Sequence, residues 1–333
     1  MIIALLIILN LIIYFNLKNF SKLINIYDKP DKKIKLHKGN IPLIGGIIFF
    51  INILIFIVYQ LFFSENFLML EKSFFKDRDI YVLIFFILSF FVIGLYDDKF
   101  KINPSIRLIL ITISSIIILL VEKDLIITKF SLSFYPNKIF LNEFSFFFTI
   151  FCIIILINSL NFYDGINCQS GIFYLIVFSY LYTVSDKNFF YFFLILITIF
   201  CLFLNLNKKL FFGDNGVYLI SVFIIISLIY EHNLNRNIIY ADEIFILLLM
   251  PGLDLVRLTL QRLISFKNVF TGDRDHFHHL LIRKYKLLHS NIILFFFNIF
   301  PLLFLINGFN FYYVFASTLI VYFYLIIYLK KKN

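Results

Sequence analysis

The chain has 333 residues, 61% hydrophobic and 15% charged, with a formal charge of +10 and a mean hydropathy of +0.93. One soluble core cannot hide that much apolar surface, so an ordinary soluble domain is excluded and an integral membrane protein remains. The long apolar runs suffice to cross a hydrocarbon layer of roughly 30 Å as helices, whereas barrel strands would alternate apolar and polar residues.

Taken in chain order, the runs predict eleven spans, near 1–17, 42–63, 80–96, 105–121, 144–160, 170–184, 189–204, 215–230, 243–260, 290–306 and 311–329. The first resembles a signal peptide in length but lacks a basic leading segment and a small-residue cleavage site, so it reads as a span. The expected fold is all-α, one polytopic helix bundle forming a single domain over 1–333. Cys152, Cys168 and Cys201 have no metal or redox spacing and read as small core residues. Lys and Arg are unequally divided between alternate breaks, twenty on one side and eight on the other. The positive-inside rule then puts the richer side in the cytoplasm and the N-terminus outside. The basic excess faces anionic lipid and anionic substrates, and no nucleic-acid partner is expected.

Four polar clusters fall on the predicted cytoplasmic side. "GLYDDKFKINPSIR" sets Asp97 and Asp98 at the end of the third span, followed by Lys99, Lys101 and Arg107. Adjacent carboxylates raise each other's cost of ionisation, so the pair implies a cation, a shared proton or plain solvation. "NSLNFYDGINCQSG" ends the fifth span in Asn158, Asn161, Asp164 and Asn167; Gly165 permits a sharp turn able to bring backbone N–H groups near an anion, or the stretch is a polar helix cap. "NLNKKLFFGDNG" places Asp214 between Gly213 and Gly216, after Lys208, Lys209 and two phenylalanines. That combination suits a magnesium ion, a phosphate and a stacked base, although GDNG is also an ordinary turn. "GDRDHFHHLLIRKYK" gathers His276, His278 and His279 with Asp273, Arg274, Asp275 and Arg283. Zinc is disfavoured there, since no cysteine is near and there is no HExxH helix; anion handling and a solvated basic loop remain.

Together the four loops offer acids, amides, cations and imidazoles at helix ends that a bundle can converge. Such a site suits chemistry between a soluble polyphosphate and a lipid phosphate, with charge neutralisation as the main need. A phosphate-monoester nucleophile is already largely dianionic at neutral pH, which lessens the need for a general base.

In this order the motifs resemble the polyprenyl-phosphate N-acetylhexosamine-1-phosphate transferases, the glycosyltransferase 4 family that includes phospho-MurNAc-pentapeptide transferase. The resemblance runs from "DKPDKKIKLHKGNIPLIGG" through "DDKFKINPSIR", "NSLNFYDGIN", "LNKKLFFGDNG" and "PGLDLVRLTLQRL" to "DRDHFHHLL", most of the chain. It implies a ten- or eleven-helix bundle in a bacterial inner membrane, with its catalytic loops in the cytoplasm. The implied reaction moves a sugar 1-phosphate from a UDP-N-acetylhexosamine to undecaprenyl phosphate with Mg²⁺, for which Mn²⁺ is a substitute, and releases UMP. It would initiate a cell-envelope glycan such as O-antigen; a homodimer is left open. By motif, Asp97 and Asp98 match the paired aspartates near lipid phosphate and metal, Asp164 matches the first aspartate of N-x-x-D-G-x-D, and Asp214 matches the principal metal ligand. Phe211 matches a uracil-stacking position. Asn161, Asn167, Asn205, Lys101 and Arg107 are expected substrate contacts, and His276, His278 and His279 match the loop that grips diphosphate and sugar. The spacing D-x-H-x-H-H favours the N-acetylhexosamine branch. Asn167 stands where the family usually has a second aspartate, Cys168 where it has glycine, and Val217 where a small hydroxyl residue often follows. Asn167 brings no charge to a metal but can hydrogen-bond a uracil edge. The competing readings are a transporter or flippase, disfavoured because span centres are nearly free of charge, and an inactive scaffold of the same fold. The DG-x-x-AR array of CDP-alcohol phosphotransferases is missing.

Overall fold

A computed structural model describes residues 2–30, 39–63, 79–186, 188–233, 239–268 and 274–331. The chain opens with α1 (Ile2–Phe15) and α2 (Leu17–Ile24), bent by 78° at Asn16. α2 segregates Lys18 and Lys22 from Leu17, Phe20 and Leu23, the pattern of a helix lying along a membrane surface. β1 (Tyr27–Asp28) and β2 (Ile41–Pro42) pair antiparallel and lead into α3 (Gly45–Phe63), α4 (Asp79–Phe100) and α5 (Pro104–Val121). A hairpin, β3 (Lys129–Leu132) and β4 (Tyr135–Phe140), precedes α6 (Ser145–Tyr163), α7 (Gln169–Val184), α8 (Asn188–Leu206) and α9 (Gly213–Asn233). The remainder is α10 (Ala241–Leu247), α11 (Leu249–Ile264), α12 (Phe277–Lys284), α13 (Leu287–Ile306) and α14 (Phe311–Lys330). Local chemistry sets the ends: Asn103 caps α5 by accepting from the Ser105 N–H, and Pro104 follows where a missing N–H costs nothing.

α9 is the axis of the bundle. It is apolar on every side, as a buried helix must be, and 83% of its membrane-length stretch is covered, chiefly by α3, α4, α6 and α7. The outer helices α5 and α14 bury only 22% and 28% of theirs and turn Ile109, Leu120, Ile320 and Ile327 outward. An apolar exterior of that extent suits lipid. Two glycines let α3 and α4 reach the axis: a Cβ on Gly46 would fall 2.0 Å from Asn215 Oδ1, and one on Gly94 2.5 Å from the Asn215 Cα. Close backbone approach through small residues is how helices pack tightly in lipid.

All eleven predicted stretches are helical, so the polytopic all-α bundle stands. Among the described residues, six helices are long and apolar enough to cross alone, seven if α1 and α2 count as one bent span. The expectation of a continuous span over 243–260 is corrected: the helix breaks at Leu248 into α10 and α11. Pro251, with no N–H to give to the preceding turn, fits a first helical turn rather than a helix interior. Beside the break an apolar cavity of about 670 Å³ lies between α6, α9, α10, α11 and the hairpin, lined by Phe148, Phe151, Leu156, Ile225, Leu249 and Val256 among others.

α5 begins beside Asp97 and ends at the hairpin, so its 18 residues separate the two ends of the bundle by about 27 Å. At the hairpin end, Ser133 gives its N–H and hydroxyl to Asp242 at 2.8 and 2.5 Å. His232 sits between the carbonyls of Ile239 and Lys129, at 2.8 and 3.0 Å. Glu231 and His232 lie in a segment predicted to face outward yet are buried, so exposed hairpin residues report sidedness better. In spheroplasts, a membrane-impermeant maleimide should label Asn137→Cys, whereas Lys267→Cys at the other end should label only after permeabilisation. The reverse pattern would invert the predicted orientation.

Candidate active site

The paired aspartates end α4 but face different partners. Asp97 is buried; its Oδ1 accepts the Ile102 N–H at 2.9 Å, and its Oδ2 accepts Arg107 Nη1 at 3.1 Å and the Tyr218 hydroxyl at 3.3 Å. Asp98 caps the axial helix from outside it, accepting the N–H groups of Asp214 and Asn215 at 2.9 and 3.0 Å and also the Asn215 side-chain amide. A carboxylate there neutralises two unpaired N–H donors and faces the positive end of the helix dipole. Gly213 makes the turn at φ +73°, where a Cβ would lie 2.7 Å from Asp98 Oδ2. Asp214, in the first turn of α9, experiences the charges of Asp98, Asp97, Arg107 and Asp164. No described residue donates a hydrogen bond to its carboxylate.

The turn between α6 and α7 ties these acids to the histidine loop. Asn161 Nδ2 lies 3.4 Å from the Tyr218 hydroxyl, Phe162 packs against the His276 ring with centroids 5.6 Å apart, and Asp164 ends α6 and accepts from Ser170. Burial pushes the Asp164 carboxyl up to about 6, with Ser170 opposing and the Asp28 charge adding to the rise. A Cβ on Gly165 would fall 1.8 Å from His278 Nε2, so only glycine lets the backbone lie against that imidazole. Cys168 adopts φ +74°, a left-handed conformation that glycine takes without steric cost. Its N–H donates to Asn205 Oδ1 at 2.6 Å, and burial raises its thiol to about 11, leaving it protonated and unreactive.

Asp254 on α11 receives the histidine loop. Its Oδ2 lies 2.9 Å from His276 Nδ1; Arg257 Nη2 and the Tyr322 hydroxyl donate to Oδ1 at 2.7 and 2.9 Å; the Phe277 N–H reaches both oxygens at 3.1 and 3.2 Å. Asp254, His276 and His278 bring three ligand atoms within 4.8 Å of one another. A cation is nevertheless disfavoured, because the carboxylate is saturated with donors and the Arg257 guanidinium lies against it. Burial, then the neighbouring His279 and His276, holds His278 far below the usual imidazole range. Burial and the charges of His276, Arg274 and Arg283 bring His279 down to about 4. Both rings are neutral at physiological pH.

Asp97, Asp98, Asp164, Asp214, Arg107, Asn161 and the three histidines thus collect at one end of the bundle, joined through Tyr218 and the α6–α7 turn. Phe211 is half-buried, its N–H and C=O bonded to the Pro42 carbonyl and Gly45 N–H at 3.0 Å each. Asn167 is half-buried too, and its carbonyl accepts Asn291 Nδ2 at 2.9 Å. Lys101 is exposed at φ +52°. Asn205, expected to contact the nucleotide, is buried, its Oδ1 accepting the Cys168 N–H and its Nδ2 donating to the Leu210 carbonyl at 2.9 Å. Much of the basic loop, residues 31–38, and Asp273 lie outside the described residues. Sequence reasoning missed Tyr218, Ser170, Asp254, Arg257 and Tyr322 as site residues. Asp254 and Arg257 carried a signal, opposite charges three apart on one helix face; a tyrosine in an apolar run carries none.

The fold and this polar end define a class, polytopic membrane helix bundles with a cluster of acids, an arginine and histidines at one end. A model of glycosyl transferase family 4 matches residues 80–232, from the first turn of α4 to the last turn of α9. The undecaprenyl-phosphate alpha-N-acetylglucosaminyl 1-phosphate transferase of Salmonella typhi is 26% identical over 271 residues, 78% of this chain and 70% of the relative. The proteins of the same name from Escherichia coli K12 and Yersinia pestis are 26% and 28% identical over 280 and 271 residues, covering 81% and 78% of this chain and 72% and 70% of theirs. Over those residues the chain is similar to glycosyl transferase family 4, and over about four fifths of its length to these relatives.

Asn205→Ala leaves the buried Cys168 N–H and Leu210 carbonyl without partners, a cost of about 1–3 kcal/mol. The thermal midpoint in detergent should fall, with the KM for a UDP-sugar little changed in the folded fraction. A normal midpoint with a raised KM would support the nucleotide-contact role.

Proposed function

We propose that this protein transfers an N-acetylhexosamine 1-phosphate, GlcNAc 1-phosphate being the first candidate, from a UDP-sugar to undecaprenyl phosphate, releasing UMP and starting a cell-envelope glycan at a bacterial inner membrane. The observation that carries the reading is the Asp214 carboxylate, without a hydrogen bond among the described residues, at the head of the axial helix beside Asp98, Asp164 and Arg107. The names of the relatives supply the substrate class.

The donor set fits a hard divalent cation. Carboxylate oxygens are the ligands magnesium prefers, and four acids against one guanidinium leave an excess of negative charge. Asp214 would hold the ion with Asp98, whose oxygens keep lone pairs beyond those given to N–H groups. Asp97 is a poorer ligand, because its three donors include the Arg107 guanidinium, whereas the three on Asp98 are uncharged amides. Bound magnesium would supply charge neutralisation on phosphate oxygens.

The protein's own groups do the rest. Arg107 faces the acids and can offset charge on a transferring phosphoryl group. The histidine loop lies across the Asp164 turn from them, in reach of a diphosphate spanning the two. The apolar cavity extends from the hairpin to Ser159 and Leu253, the latter adjoining Asp254, which suits a polyprenyl chain whose phosphate emerges at the polar end. Water-soluble donor and lipid acceptor would therefore meet at the boundary, where entropy lost on binding replaces that of a bimolecular encounter.

Membranes containing the protein, given undecaprenyl phosphate, Mg²⁺ and radiolabelled UDP-GlcNAc, should form a lipid-linked product with release of UMP; failure across a panel of UDP-N-acetylsugars would sink the reading. Asp214→Asn should lose at least about two orders of magnitude in rate, the effect of several kcal/mol of lost transition-state stabilisation. Chelation should abolish turnover, and Mg²⁺ or Mn²⁺ should restore it. Near-normal turnover of Asp214→Asn with an unchanged metal requirement would remove Asp214 from the role.

A further inference from the structure

The three histidines are not equivalent. His278 is enclosed against Gly165, its Nδ1 3.4 Å from Gln169 Nε2 and its Nε2 buried. His279 Nδ1 is likewise buried, and neither atom has a hydrogen-bond partner among the described residues. His276 alone has a carboxylate on one ring nitrogen. With Asp254 on Nδ1, Nε2 at the opposite edge of the ring is the nitrogen left to face a ligand, and it donates to an anion when it carries a proton. That ring lies against Phe162, two residues before Asp164, and so borders the turn that carries the acids.

We propose that Asp254 is the positioning residue for His276, and that Arg257 and Tyr322 hold Asp254 in place, making His276 Nε2 the atom by which the loop meets a phosphate oxygen of the nucleotide sugar. The inference rests on the transferase reading. Its physical content is a division of labour. A carboxylate behind an imidazole orients the ring, selects its tautomer and stabilises the imidazolium when the ring faces an anion. Asp254 can do this only while ionised and fixed, and two donors on its Oδ1 secure both: Arg257 Nη2 at 2.7 Å and the Tyr322 hydroxyl at 2.9 Å.

The same groups fix the loop's backbone. The Phe277 N–H at the start of α12 binds Asp254, and Arg257 Nη2 also donates to the Asp275 carbonyl at 2.6 Å. Arg257 Nε donates to the Tyr322 hydroxyl at 2.9 Å, so α11, α12 and α14 close on one carboxylate. Such a saturated buried network is rigid, and rigidity is what a hydrogen bond to a developing charge requires.

The test is a double-mutant cycle in detergent-solubilised protein, using the UDP-sugar that the wild type turns over. Asp254→Asn keeps size and shape but removes the charge; in the folded fraction it should lower kcat about 10- to 100-fold and leave the KM for undecaprenyl phosphate unchanged, with a lower thermal midpoint because Arg257 loses its buried carboxylate. His276→Ala should show a similar loss, and the double variant should be no more than about threefold worse than His276→Ala alone, because the two act as a unit. Tyr322→Phe, which removes one donor from Asp254 and leaves Arg257, should lose several-fold in kcat and show the same lack of additivity, and carries the test if Asp254→Asn does not fold. Losses that multiply in the double variants would overturn the assignment, as would a loss confined to the KM for the lipid. A wild type without turnover would instead defeat the transferase reading.

Discussion

A carboxylate at the edge of hydrocarbon needs a partner, and the arrangement of this bundle follows from how four of them are accommodated. Burying an unpaired charge costs several kcal/mol or shifts the group to its neutral form. Asp97 is answered by Arg107 from the next helix, Asp98 by the N-terminus of α9, and Asp164 by the Ser170 hydroxyl. Asp214 is left over. On the transferase reading, a carboxylate that accepts no hydrogen bond among the described residues and faces three other acids is where a cation would bind.

That solution depends on helix approach. Asp98 reaches the N-terminus of α9 only because α4 comes close at Gly94, and the loop before α9 is held to the segment entering α3 by Phe211 and Phe212 carbonyls accepting the Gly45 and Gly46 N–H groups at 3.0 and 3.1 Å. Larger side chains at Gly46 or Gly94 would push the capping carboxylate away from its helix. Packing and electrostatics are therefore one constraint here. The same holds at the histidine loop, where Gly165 gives up a side chain so that His278 can sit against the backbone.

The fold class was legible because hydropathy over a whole span is a long signal, and no single side chain has to be interpreted correctly to read it. The break at Leu248 escaped because Pro251 sits in a first helical turn, where proline is also at home, so the residue alone does not distinguish a break from a continuing span. Most of the acidic cluster was legible because an aspartate at a helix end in so apolar a chain contributes nothing to packing and must answer to charge. The backbone partners of Asn205 were not legible, because a polar side chain near a site can serve the backbone as well as a ligand, and only the positions of Cys168 and Leu210 reveal these bonds. Tyr218 and Tyr322 were invisible for a related reason: both lie in apolar runs, and their hydroxyls acquire meaning only when Asp97 and Asp254 arrive from elsewhere in the chain.

The broken helix at Leu248 has a kinetic side. The two segments meeting at the break both line an apolar cavity that also reaches α6 and α9. On the transferase reading, one substrate arrives by three-dimensional diffusion through water and the other by a two-dimensional search within the bilayer. The product, now too polar at its head to leave the surface and too apolar in its tail to leave the lipid, departs along the route by which the acceptor came, and the break serves as a side door between catalyst and membrane.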